Sequence, residues 1–144
     1  METDPSMLLA SGKNRKRFDL ARAAAKLSTF PKVQIGAAII DKFGDIVSVG
    51  LNKQKSHPRQ MQYDVHRPID TQDIPHFLHA EMDALIKAKR TDLVDASIYV
   101  YRENRANGFA MCRPCKACSA ALKDAGIKKI FYTTELGFAY EEFI

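Results

Sequence analysis

Apolar side chains recur along this 144-residue chain with two different periods, and each change of period marks an element. From Arg15 to Ser28, the residues Phe18, Leu20, Ala21, Ala24, Ala25 and Leu27 approximate a 3.6-residue stripe among Lys and Arg. That pattern predicts an amphipathic helix, stopped by Pro31. "KVQIGAAIID" and "DIVSVGLN" are apolar and β-rich, and "KFG" between them supplies a turn, so 33–51 reads as an antiparallel hairpin. Residues 53–75 carry no period and contain Pro58, Pro68 and Pro75, which predicts a long irregular loop. Loops of that length in compact domains are functional or disordered.

The rhythm then returns. "PHFLHAEMDALIKAKR" predicts a helix from about His79, with Met82, Leu85 and Ile86 on one face. "ASIYVYRE" alternates as a strand, and "CRPCKACSAALKDAG" opens a helix at Pro114 and closes it at Gly126. "IKKIFYTT" is the next strand, before an acidic and aromatic tail, "ELGFAYEEFI". The order α-β-β-α-β-α-β, without repeats or low-complexity linkers, predicts a three-layer α/β domain on a mixed sheet.

Composition changes this picture little. At 46% hydrophobic and 27% charged, the chain is an ordinary soluble domain, read as one unit over 1–144 with a loose segment at 1–13. No apolar run approaches the ~20 residues of a membrane span. The acidic start does not read as a secretion signal, so the expected compartment is a reducing cytoplasm. There, three clustered cysteines read as metal-binding or catalytic before they read as disulfides. The net charge of +5 favours anionic partners, concentrated in "GKNRKRFD" and "NKQKSHPR", although either stretch could be simple solvated surface.

Two helix starts carry the chemistry: His79 and Glu81 in "HAE", and Cys115 and Cys118 in "PCKAC". Helix starts in an α/β sheet gather beyond the carboxyl ends of the strands, so the two can converge. One His and two Cys are three zinc ligands, the number a catalytic site uses when a fourth position is left to water. The positive helix end favours the thiolate form. Glu81, two residues past the histidine, can lean over the metal without ligating it and move a proton. A closed structural Cys3His site using Cys112 is the competing arrangement, but it leaves Glu81 unused; Cys112 otherwise reads as a small buried apolar residue. His76 reads as a surface or capping residue, and Tyr132, Phe138, Tyr140 and Phe143 as packing groups before base-stacking ones.

H-x-E followed by P-C-x-x-C, each opening a helix, is the signature of zinc-dependent nucleobase deaminases. From about residue 14 to 134 the sequence resembles the cytidine/deoxycytidylate deaminase superfamily, most of all its deoxycytidylate deaminases. That resemblance implies an α/β/α fold around a five-stranded mixed sheet, and a hydrolase. It implies zinc on His79, Cys115 and Cys118, with zinc-bound hydroxide attacking C4 of a cytosine and Glu81 shuttling the proton. It further implies the Ala80 amide on the base carbonyl, the Arg113 carbonyl on the departing amine, and Asn52 on the sugar hydroxyl. Lys53, Lys55, His57 and Arg59 would meet a 5′-phosphate, making dCMP the expected substrate. Homo-oligomers are common in the superfamily. A nucleoside cytidine deaminase, a tRNA-type nucleic-acid deaminase and a non-catalytic zinc-stabilised binding module are the alternatives.

Overall fold

The structure is a computed structural model that describes residues 12–66, 77–89, 93–104, 106 and 108–143. Helix α1 (Gly12–Lys26) begins three residues before the predicted start, inside the stretch expected to be loose; residues 1–11 lie outside the described ones. Leu27 falls one residue past its end and is exposed, so it drops out of the predicted stripe. Strands β1 (Ile35–Ile40) and β2 (Ile46–Leu51) form the expected antiparallel hairpin. Its turn is held by the Asp41 carboxylate, which accepts the amides of Phe43 and Asp45, each at 2.9 Å.

Within the aperiodic stretch, residues 53–66 contain a one-turn helix, α2 (Pro58–Met61), and a 3-10 turn at Asp64–His66, and residues 67–75 lie outside the described ones. His76 lies outside the described residues. Helix α3 (Ala80–Ala88), strand β3 (Ser97–Arg102), helix α4 (Lys116–Ala125) and strand β4 (Lys129–Thr134) follow in the predicted order. The tail is a further strand, β5 (Gly137–Glu142), paired antiparallel to β4. Its consecutive glutamates, Glu141 and Glu142, stand on opposite faces near the end of an edge strand, and that polarity hid its alternation. Five strands run β2-β1-β3-β4-β5, with β3 and β4 parallel and α4 crossing between them. Among the described residues no helix is long and apolar enough to cross a membrane.

Period-two alternation divides the core into two layers, because successive strand residues face opposite sides. Ala38, Ile40, Tyr99, Tyr101 and Phe131 face α1 and meet Phe18, whose ring stacks on Phe138 at 4.1 Å. Ala37, Ile39, Ile98, Val100, Ile130 and Tyr132 face the other side, against Met82 and Leu85 of α3 and Leu122 of α4. Both helix layers approach the sheet at a glycine. A Cβ on Gly36 would lie 1.9 Å from the Ala21 carbonyl oxygen of α1, and one on Gly50 would lie 2.5 Å from the Ala80 carbonyl oxygen of α3. Helix α3 is therefore seated on β2 at Ala80, its first residue, between His79 and Glu81.

Candidate active site

The N-caps of two helices face each other. His79 caps α3 in an extended conformation, and Cys115 caps α4, its Sγ accepting the Cys118 amide at 3.4 Å. His79 Nδ1 lies 3.2 Å from Cys118 Sγ and 3.7 Å from Cys115 Sγ. The three donor atoms fall within 4.8 Å of one another. Zinc bonds of about 2.0–2.3 Å on a tetrahedron place such donors roughly 3.5–3.8 Å apart, so the trio fits that ion with little rearrangement. Cys112 stands apart from the trio. Its thiol is buried, 3.0 Å from Thr133 Oγ1 and 3.3 Å from the Val100 carbonyl, and burial pushes it up to about 12.

The trio's two thiols are linked through the hydrogen bond between them. Cys115 is lowered to about 4, first by its hydrogen bond with Cys118; burial opposes this, and His79 adds to it. Cys118, bonded to that thiolate and buried, is pushed well up. Ligation requires thiolates, so a bound cation would displace protons from these sulfurs.

Glu81 sits in the first turn of α3, 5% exposed. Burial pushes its carboxyl up, with His79 pulling it back down. It forms part of the wall of a cavity of about 280 Å³, beside His79, Cys115 and Asn52. The other walls are largely apolar: Phe30, Val33, Ile35, Phe77 and Met111. Phe30 and Phe77 meet edge-to-face at 4.8 Å. None of these aromatic and apolar wall residues carries a sequence signal beyond its hydrophobicity.

Asn52 reaches the cavity wall, but its amide is largely engaged. Oδ1 accepts Ser28 Oγ at 2.7 Å and the Ile35 amide at 2.9 Å, while Nδ2 donates to the Val33 carbonyl at 2.8 Å. Arg113 also lines the cavity, with its guanidinium turned out to Glu141 at 2.8 Å. Ala80, the first residue of α3, is buried; its amide is among those a helix start leaves without an intrahelical partner.

Lys53, Lys55, His57 and Arg59 are not among the residues lining this cavity. Lys53 Nζ lies 3.2 Å from the buried Asp83 carboxylate, and Arg59 donates to the Leu85 carbonyl at 3.3 Å. His57 caps α2 by accepting the Arg59 amide, and Lys55 is exposed. The stretch folds onto α3 because a buried carboxylate and a helix carbonyl there need donors. Gln60 of α2, unmarked by any periodicity, accepts the His79 amide at 2.8 Å.

Asp83 ties these parts together. It accepts the Leu51 amide at 3.0 Å and Lys87 at 2.8 Å as well as Lys53. Burial pushes its carboxyl up, but the hydrogen bonds from Lys87, Leu51 and Lys53 outweigh it and hold it below the usual value. A depressed carboxylate contributes stability above its unfolded value of about 3.9 and loses it as pH falls through the folded one. The gap in thermal midpoint between the parent and Asp83→Asn should therefore hold steady from about pH 5 to 8 and close below about pH 4. A gap independent of pH would show that the carboxylate's charge does not contribute.

Residues 11–134 match the cytidine and deoxycytidylate deaminase zinc-binding region. A probable deoxycytidylate deaminase of Caenorhabditis elegans is 32% identical over 124 residues, covering 83% of this chain and 56% of its own length. The chain thus spans little more than half of that relative. Among solved structures, the apo dCMP deaminase of cyanophage S-TIM5 is similar with a TM-score of 0.58 and 24% identity, over 90% of this chain and 84% of its own. Cytidine deaminase of Burkholderia pseudomallei is similar with a TM-score of 0.61 and 17% identity, over 89% and 91%. These two likenesses concern the fold. The matched region is a zinc-binding one, and the donor set formed by the two helix starts suits that ion. By the extent of that match, the chain belongs to the cytidine and deoxycytidylate deaminase family.

Proposed function

We propose that this chain catalyses the hydrolytic deamination of a cytosine nucleotide, with dCMP as substrate. The observation that carries the reading is a buried carboxyl, Glu81, in the wall of a base-sized cavity beside the His79, Cys115 and Cys118 donors. When bound by those three residues, zinc supplies the positive charge that makes water nucleophilic near neutral pH. Glu81 would take one proton from that nucleophile and deliver it to the ring nitrogen, then take the second from the new C4 hydroxyl and give it to the departing amine. The C4–O bond forms, the C4–N bond breaks, and water and dCMP become ammonia and dUMP. Burial suits the carboxyl to both halves of this task by bringing its acid form closer to neutral pH.

The remaining wall orients the base. Phe30 and Phe77 face the ring, the Ala80 amide donates to the base carbonyl, and the Arg113 carbonyl accepts from the amine. Asn52 keeps one amide hydrogen for the sugar, its other sites being engaged within the fold. For the phosphate, a cleft of about 500 Å³ shares Val33 with the cavity and is lined by Lys26, Lys32 and Arg102. Within the cleft Lys26 pairs with Glu103 at 2.9 Å and Arg102 donates to the Met111 carbonyl at 3.2 Å, so the reading rests on the exposed Lys32; Lys53 and Arg59 are engaged on α3. Lys32 is therefore put ahead of the 53–59 stretch as the phosphate contact, with Glu103 in the same cleft opposing it.

Zinc-loaded protein should release ammonia from dCMP faster than from CMP, deoxycytidine or tRNA in parallel assays. Lys32→Ala should raise the dCMP KM several-fold with little change in kcat, and Lys55→Ala should leave both unchanged. Equal turnover of deoxycytidine and dCMP would remove the phosphate assignment. Absence of ammonia from every substrate would remove the proposed function.

A further inference from the structure

We infer that Gln60 is a positioning residue that sets the aim of His79. The inference rests on the reading of His79 as a metal ligand, and concerns how the chain holds that residue. Gln60 is 6% exposed, and both ends of its amide are engaged with one short piece of backbone. Oε1 accepts the His79 amide at 2.8 Å, and Nε2 donates to the Phe77 carbonyl at 2.6 Å. Those two groups flank Leu78. The Leu78 amide and carbonyl point to the opposite edge, where they pair with Lys53 in an isolated bridge at 3.0 Å each way. Residues 77–79 are therefore held as the middle strand of a three-stranded ladder, with a side-chain amide taking the place of the third strand.

Only a side chain that donates and accepts at once can fill that place, and only one of glutamine's length spans it. Gln60 is itself fixed by α2, which starts at Pro58 and is capped by His57. The chain from residue 53 to 61 thus grips the backbone beside His79 along both edges. This accounts for why a stretch so rich in charge folds back against α3. The consequence for the site is mechanical. His79 Nδ1 stands at 3.2 and 3.7 Å from the two thiols, so a backbone shift of a few tenths of an ångström at residue 79 changes the donor geometry directly. Loss of the clamp also leaves an amide and a carbonyl without their buried partner, which favours such a shift.

The test uses Gln60→Met, which keeps the volume and removes both hydrogen bonds, with Ser48→Ala as a comparison. Ser48 Oγ donates to the Ala84 carbonyl at 2.7 Å and so anchors α3 away from His79. Zinc affinity is measured by chelator competition, and donor geometry by the visible bands of the cobalt-substituted protein. Gln60→Met should bind zinc at least about tenfold more weakly and shift the cobalt bands, as loss of an outer-shell partner does. Ser48→Ala should lower the thermal midpoint and leave the bands in place. A folded Gln60→Met with parental affinity and bands would overturn the inference. Should Gln60→Met not fold, Gln60→Asn carries the same test with the same outcomes, being one methylene too short to span both groups. His79→Ala separates this inference from the reading beneath it. If that variant keeps parental zinc affinity, the ligand set is wrong and the clamp falls with it; if it loses zinc while the Gln60 variants do not, the clamp alone is wrong.

Discussion

Glu81→Gln should abolish ammonia release while the protein keeps its zinc. The amide preserves the size and hydrogen-bonding shape of a buried carboxyl, so the cavity wall and the first turn of α3 should be undisturbed. What it removes is a group that can take up and give back a proton. Positioned acid–base groups contribute about 10²–10⁴-fold, and Glu81 is assigned more than one transfer in the same turnover, so a fall in kcat of about 10³-fold or more is expected. That corresponds to about 4 kcal/mol of transition-state stabilisation. Metal content and substrate KM are the readouts that separate this from a general loss of structure. Turnover within tenfold of the parent would remove Glu81 as the proton carrier, and zinc loss in the variant would make it a ligand.

The second large effect is on the fold itself. Gly50→Ala places a Cβ 2.4 Å from the Ala84 amide nitrogen and 2.5 Å from the Ala80 carbonyl oxygen. Both are backbone atoms of one helix, so no rotamer change relieves the contact, and α3 must move off β2. Overpacking of a fitted interior costs about 1–3 kcal/mol, and a clash with helix backbone belongs at or beyond the upper end. The chemical-denaturation midpoint should fall accordingly. Zinc affinity should fall with it, because the turn carrying His79 and Glu81 travels with the helix. Gly108→Ala is the matching comparison: its Cβ would first meet the Asn104 side-chain amide nitrogen at 3.1 Å, a side-chain contact that needs a shift of only a few tenths of an ångström. If the two variants are equally stable, the close approach of α3 to β2 does not constrain the fold.

These effects also explain which parts of the molecule the amino-acid order disclosed. His79, Glu81, Cys115 and Cys118 were legible because each lies within two residues of a helix start, marked by the onset of a 3.6-residue period and, for α4, by Pro114. The two-layer core was legible for a similar reason, since alternation along β1 and β3 assigns each side chain to a face. Gln60 was not, because its meaning lies in two carbonyl and amide groups 17 and 19 positions away, across a stretch without period. Phe30 and Phe77 meet only because two loops end at the same place. The positive charge of Lys53 and Arg59 was visible, but its direction was not. For Lys53 that direction depends on Asp83, in the sequence only a polar interruption between Met82 and Leu85, and for Arg59 on the Leu85 carbonyl. Strand β5 was hidden by the glutamates of an edge position.

The Asn52 amide joins Ser28, Val33 and Ile35 to the end of β2, so the chain between α1 and β1 is set in place when the hairpin forms. One whole wall of the cavity is therefore ordered before any ligand arrives. Binding does not need to freeze that segment, and its entropy is already spent in folding rather than drawn from affinity. Ordering of residues 28–35 should then add no saturating phase to the rate of nucleotide association.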